Sequence, residues 1–379
     1  MRTQIDGYTL TLPEDERYEL APEAPKDARR LTMRDKLRVG FVGTGGIARG
    51  QHMPGWIGLE DAEIVAIADV SPEAAAKGAE IAEVDKKHIY EDYEKMFEAE
   101  DLDVVDVCTP NAYHKAPTVA ALEAGCHVFV EKPVATSADE VREMIAARDR
   151  SQKLLCVTQN MRFSDEAIAA KRFVDEGGIG DPYWAKAEYL RSRGVPAWGA
   201  FIDAEKSAGG PCYDIGVHVL DLTLHLMGFP EPVSVSANTW LEIANRPSVM
   251  GHDPKKYTVP EELAVGFIRF ENDICISLGA SWALNSTGNQ NNVSIFGTEG
   301  GVQMWPFTLV TEKHGMKLNS TPTVLGYKGL GGHAEEIRQF VEAITRGGKV
   351  PVPPEQALIT QRILDAIYKS AEEGREVAV

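Results

Sequence analysis

The sequence predicts a parallel α/β sheet domain followed by an α+β domain, and three observations carry that prediction. From Leu37 onward, short Val/Ile-rich runs alternate with segments of helical spacing, the pattern of strand–helix–strand crossovers. The first of these runs ends in a glycine-rich turn, "GTGGIA", residues 43–48. Beyond about residue 160 the apolar residues adopt a period of two, which suits strands with one buried face. At 379 residues, 44% hydrophobic and 25% charged, the chain can supply two cores.

Residues 1–36 are polar, rich in Pro and charge, and read as an arm outside the main fold. The runs "LRVGFV", "EIVAIAD", "DVVDVCT", "HVFVE" and "KLLCVT" then have the length and branching of strands buried on both faces. Between them, "SPEAAAKGAEIAE", "APTVAALEAG" and "SADEVREMIAARDR" read as helices. Ser71 and Ser137 stand at N-cap positions and Pro72 at the first helical position. In the second half, 183–193, 233–240, 263–270, 274–284 and 292–305 alternate apolar and polar residues, with "END" and "GTEGG" as hairpin turns. Such a sheet needs cover: helices starting near Asp165 and Asp214 suit one face, a partner subunit the other. Two amphipathic helices close the chain, the last expected to pack back on the first domain. The expected boundaries are 1–36 arm, 37–159 nucleotide-binding domain, 160–352 substrate and oligomerisation domain, and 353–379 C-terminal helix.

Each position of the turn has a physical role. Gly43 permits the tight turn, Gly45 lets backbone approach a pyrophosphate, and Ala48 lets the next helix pack close to the strand. Thr44, Gly46 and Ile47 complete the loop that would face the phosphates. The second strand ends in Asp69, about 20 residues further on, where a carboxylate accepts both hydroxyls of an adenosine ribose. It would repel a 2′-phosphate, and "DVS" brings no cation to compensate, so NAD(H) is expected over NADP(H). Capping the helix that starts at Ser71 is the plainer alternative for Asp69.

Ligands of such sheets bind beyond the carboxyl ends of the strands. "CTPNAYH" (108–114) and "EKP" (131–133) lie there, each strand ended by a proline, which lacks the backbone donor. Thr109, Pro110, Asn111, His114, Glu131 and Lys132 are therefore expected to line the crevice and contact the cofactor. In "GGPCYDIGVH" (209–218), Asp214 and His218 stand four residues apart, on one face of a helix. The glycines before them would let the chain, or a substrate, come close.

Taken in order, "GTGGIA", "CTPNAYH", "EKP" and "GGPCYDIGVH" resemble the glucose–fructose oxidoreductase / inositol dehydrogenase / MocA-like family. The resemblance runs from residue 37 to about 375. It implies a Rossmann domain followed by a domain on a large open, mostly antiparallel sheet, whose outer face serves as a homodimer or homotetramer interface. It also maps a site lysine onto Lys132 and an Asp/His pair onto Asp214 and His218. Oxidising a secondary alcohol requires removal of the hydroxyl proton as the hydride leaves, work that imidazole suits near neutrality. His218 is thus the expected proton acceptor, with Asp214 orienting substrate or stabilising imidazolium, and Lys132 holding the reacting oxygen. Candidate substrate-wall residues are Arg162, Tyr189, Arg191, Trp198 and His333. No Arg/Lys cluster marks a phosphate pocket in the second domain, so an unphosphorylated sugar, polyol or inositol is the expected substrate. An NAD-dependent glycosidase working by oxidation and elimination, and a non-catalytic sugar or nucleotide sensor on the same fold, stay open as alternatives.

Composition sets the outer limits. With 39 Lys plus Arg against 57 Asp plus Glu, the net charge of −18 disfavours nucleic acid and anionic membrane as partners. The five cysteines show no CxxC or Cys/His ligand spacing, so neither a disulfide framework nor a metal site is expected, and a reducing cytoplasm fits them. No signal peptide and no long apolar run stand out.

Overall fold

A computed structural model describes residues 36–247, 250–324 and 331–379. The expected N-terminal arm lies outside the described residues except for Lys36. The first sheet contains β1 (Leu37–Val42), β2 (Ala62–Ala68), β3 (Ile89–Tyr90), β4 (Val104–Val107), β5 (His127–Val130) and β6 (Leu155–Val157). All its pairings are parallel, in the order β3-β2-β1-β4-β5-β6. The order reverses between β1 and β4, which opens the ligand crevice of a doubly wound sheet at their carboxyl ends. Val39, Phe41, Val104, Val105, Val107, Val128, Phe129 and Val130 are fully buried, which explains their near-continuous apolar runs.

Helices α1 (Met53–Ile57), α2 (Pro72–Ala82), α3 (Tyr93–Ala99), α4 (Lys115–Glu123) and α5 (Ala138–Ser151) flank this sheet. The Ser71 and Ser137 hydroxyls accept the Ala74 and Glu140 backbone N–H groups, each at 3.3 Å, so both expected caps form. The helix opened by the glycine turn differs from expectation. Residues 48–52 form a π turn that runs into α1, and the wider winding leaves His52 fully buried.

The second sheet has nine strands: β7 (Pro182–Leu190), β8 (Pro232–Trp240), β9 (Leu263–Phe270), β10 (Cys275–Ser281), β11 (Gln290–Gly297), β12 (Gly300–Gln303), β13 (Thr308–Lys313), β14 (Met316–Ser320) and β15 (Val377–Ala378). Their order is β14-β13-β12-β11-β7-β10-β9-β8-β15, antiparallel except where β7 meets β10. "END" and "GTEGG" join adjacent antiparallel strands, as the hairpin reading requires. Helices α6 (Asp165–Asp175) and α8 (Val217–Leu226) bury one face; the short α7 (Ala204–Ser207) lies in the loop ahead of α8. The opposite face presents Trp240, Val265 and Phe267 in a shallow depression with Glu188 and Ser236.

The closing helices tie the two sheets together. On α9 (Gly332–Arg346), Ile337, Phe340 and Val341 belong to the first core. On α10 (Pro354–Glu373), Ala357 belongs to the first core while Ile363, Leu364 and Ile367 belong to the second. Among the described residues, no helix is long and apolar enough to cross a membrane.

Candidate active site

The glycine turn follows directly from β1. Gly43 takes φ +87°, and a Cβ there would lie 2.8 Å from the Cys108 carbonyl, so both conformation and space demand glycine. Among the described residues, a Cβ on Gly45 or Gly46 would meet nothing within 4 Å, which leaves an open cradle above the turn. Behind it, Thr44 donates its backbone N–H (2.7 Å) and hydroxyl (2.8 Å) to one Asp69 oxygen. The other Asp69 oxygen accepts the Ser71 N–H at 2.8 Å. Asp69 thus braces turn and helix start together, while Ser71 supplies its own N-cap hydroxyl. Arg49, which the motif did not bring out, reaches back to the Thr44 carbonyl at 2.5 Å and sets a cation beside the cradle. An open glycine cradle with a carboxylate at the end of β2 fits a dinucleotide.

Beyond β5, the Lys132 ammonium donates to the Asp214 carbonyl oxygen at 2.9 Å and meets its carboxylate Oδ1 at 3.4 Å. The other carboxylate oxygen, Oδ2, accepts the indole N–H of the buried Trp282 at 3.0 Å. His218 follows one turn on, at the start of α8, and its Nδ1 is buried without a partner among the described residues. Burial, and then the charge of Lys132, push its pKa well below the usual imidazole range; His333 and Arg191 add to this and Glu131 opposes it. A neutral imidazole beside an ammonium–carboxylate pair can accept a proton from an alcohol.

Family models then match nearly the whole chain: an oxidoreductase family with an NAD-binding Rossmann fold over residues 37–159, and that family's C-terminal alpha/beta domain over 171–379. The chain belongs to the glucose–fructose oxidoreductase / inositol dehydrogenase / MocA oxidoreductase family. It is 33% identical over 345 residues to a D-glucoside 3-dehydrogenase of Escherichia coli K12, covering 90% of this chain and 97% of that protein. It is 26% identical to the inositol 2-dehydrogenase of Rhizobium meliloti, covering 90% and 99%. A levoglucosan dehydrogenase solved with NADH superposes with a TM-score of 0.79 at 25% identity, covering 91% of this chain and 99% of that one. The chain is accordingly an oxidoreductase with an NAD-binding Rossmann fold.

Within this family member, several expected crevice residues turn elsewhere. His114 is buried, with Nδ1 2.8 Å from the Pro133 carbonyl and Nε2 2.8 Å from the Thr109 carbonyl, so it braces the two strand-end loops instead of facing the cofactor. Glu131 also points inward, toward His52. Asn111 donates to the Ser207 carbonyl at 2.8 Å and links the sheet end to α7; Thr109 donates to the Tyr113 carbonyl at 2.9 Å.

Arg162 is not a substrate-wall residue. Its guanidinium lies buried against Asp221 in a two-pronged pair, both contacts 2.6 Å, and a third contact of 2.6 Å reaches Gln356. Asp221 lies on the buried side of α8, and a charge there requires its partner. His333 does not cap α9; it sits in the first turn, 3.8 Å from Glu131, with burial pushing its pKa down to about 4. The Arg191 guanidinium stacks on Tyr189, 5.3 Å from the ring centre. Trp198 is 68% exposed in the loop before α7, beside Phe201.

The glycines of "GGPCYDIGVH" serve the protein and not a substrate. A Cβ on Gly209 would collide with the Tyr368 hydroxyl, and one on Gly210 with the Glu261 carbonyl. Glu261 accepts the Gly210 N–H at 2.9 Å, the Cys212 N–H at 3.3 Å and the Tyr368 hydroxyl at 2.7 Å. It thereby pins the start of the helix that carries Asp214. Burial raises its pKa to about 7 against the pull of those donors. Residues 212–216 wind as a π turn, closed by the Val217 N–H on the Cys212 carbonyl, so the Asp214–His218 step spans a wider turn than the expected α-helix. His52, Asp106, Trp282 and Glu261 escaped the sequence reading, since their partners are distant in the chain.

Proposed function

We propose that this oxidoreductase transfers a hydride between NAD(H) and a secondary alcohol carbon of an unphosphorylated sugar, polyol or inositol. The observation that carries the reading is the meeting of Lys132 and Asp214 at the carboxyl end of the sheet, one turn before His218, whose buried ring feels the charge of Lys132. The dehydrogenases of glucosides, inositol and levoglucosan among its relatives support the substrate class.

Gly43, Thr44, Gly45, Gly46 and Ile47 would hold the pyrophosphate, and Asp69 the adenosine ribose, where its carboxylate favours NAD over NADP. NAD, when bound, supplies the acceptor for the hydride. His218 takes the hydroxyl proton on its neutral ring. Lys132 holds the reacting oxygen and favours its developing negative charge, while Asp214, fixed by Trp282, orients Lys132. Assistance of this kind contributes on the order of 10²- to 10⁴-fold. Tyr189, Arg191, Trp198 and His333 remain the candidates for the substrate wall, Trp198 by stacking on the apolar side of a sugar ring. A second copy covering the Trp240–Val265–Phe267 face gives a homodimer or homotetramer. Five free cysteines fit a reducing, cytoplasmic setting.

The test is an NADH absorbance screen over sugars and inositols with NAD and NADP, repeated with His218→Ala. Oxidation of at least one such alcohol with NAD, lost in the variant while NADH binding persists, is expected. Release of aglycone without net NADH, or normal turnover in His218→Ala, would overturn the reading.

A further inference from the structure

We propose that His52 is a positioning residue of this site: clamped between Asp106 and Glu131, it fixes Glu131 and, through Glu131, the backbone from which Lys132 projects. This rests on the reading of Lys132, Asp214 and His218 given above. His52 is fully buried on the π turn after the glycine cradle. Its Nδ1 lies 3.0 and 2.9 Å from the two Asp106 oxygens, and its Nε2 lies 2.8 Å from Glu131 Oε1. Asp106 also accepts the Trp56 indole N–H at 2.7 Å, and Glu131 Oε2 accepts the Lys132 backbone N–H at 3.0 Å. An ionised carboxylate facing each ring nitrogen calls for a donor from both, which makes the ring an imidazolium.

The groups facing this ring are Asp106 and Cys108 at the end of β4, Glu131 after β5, and His333 and Glu336 on α9. Burial opposes charge on His52, but Asp106 and then Cys108 hold its pKa well above the usual range. Burial likewise pushes Glu131 up, yet the His52 hydrogen bond and charge, helped by Lys132 and His333, bring it down to about 2. A carboxylate that stays ionised and immobile holds the Lys132 peptide in one place, so the ammonium reaches Asp214 without searching. Among the described residues, Asp106 and His52 are fully buried and Glu131 nearly so. The role of His52 is placement and not proton transfer.

The test uses the full chain. Imidazole nitrogen shifts should show His52 protonated on both nitrogens at pH 7 and beyond in the wild type, and titrating lower in Glu131→Gln. His52→Gln keeps a donor toward Glu131 but removes the charge. With cooperative unfolding retained, its kcat should fall at least tenfold, its NADH Kd should change less than threefold at pH 7.5, and the acid limb of kcat/KM should rise by a pH unit or more. Should His52→Gln fail to fold, Glu131→Gln carries the same kcat and Kd expectations. A neutral His52 at pH 7, or a folded His52→Gln with unchanged kcat and acid limb, overturns the proposal. Absence of turnover in the wild type falls on the functional reading instead, and the nitrogen shifts in wild type and Glu131→Gln then decide the His52–Glu131 link separately.

Discussion

Asp214 divides its carboxylate between an ammonium and an indole, and that division sets the geometry of the site. Lys132 takes one oxygen and Trp282 the other. Trp282→Phe keeps most of the buried ring but removes the N–H, which frees Asp214 to rotate. Its loss should lower kcat about tenfold, or about 1.4 kcal/mol in the barrier, with cooperative unfolding retained; kcat beside a denaturation curve checks this. Asp69→Ala removes the carboxylate that braces Thr44 and that is proposed to hold the ribose. NAD affinity should fall while the preference against NADP relaxes, and fluorescence titration with both reduced cofactors reads it out. Residues such as Lys132 and Asp69 were legible because a strand and a proline or glycine placed them. Arg162 misled because "NMRF" follows a sheet end like the other motifs, yet its guanidinium finds Asp221, 59 residues later in the chain. No local pattern announces such a pair.

At the scale of elements, legibility followed burial. The two-face-buried strands β1, β4 and β5 read as unbroken apolar runs, and β7 to β12 read by alternation. β3 and β15, two residues each, carry too little pattern to read; β13 is mostly half-buried and β14 largely exposed, so neither alternates clearly. The π turns at 48–52 and 212–216 were invisible too, because one residue of extra winding leaves the apolar spacing nearly intact. Two glycine substitutions separate the uses of the two glycine turns. Gly210→Ala drives a Cβ into the Glu261 carbonyl, where backbone cannot yield, and should destabilise the fold by about 2–3 kcal/mol in urea unfolding. Gly45→Ala meets nothing within 4 Å among the described residues, so unfolding should change by less than about 1 kcal/mol while NADH affinity drops.

For the whole molecule, buried histidines set the response to acid. Burial pushes the pKa of His218 well below the usual imidazole range, and brings His127 and His333 down to about 4 and His225 to about 3. The unfolded chain binds protons on these groups near pH 6.5, before the folded chain does. Their contribution to stability is therefore complete above pH 6.5 and is lost as the pH falls through the window from about 6.5 to 3. Glu131, held at about 2, acts in the same direction below pH 4.5, whereas His52 and the buried acids Glu261 and Glu336, whose pKa values are raised, oppose it as the pH falls. The melting temperature should drop by several degrees between pH 7.5 and 5; a flat profile would contradict the balance. The exposed apolar face of the nine-stranded sheet belongs to this scale as well. Val265→Lys should convert the expected oligomer to a smaller species in sedimentation without loss of secondary structure.

The most direct measurement is the pair of kcat and NADH Kd for Lys132→Met and His218→Asn, on whichever alcohol the wild type oxidises. The site as described predicts kcat losses on the order of 10²-fold or more, with Kd for NADH shifted far less. Parallel losses in both quantities, or turnover within a few-fold of wild type in either variant, would contradict it.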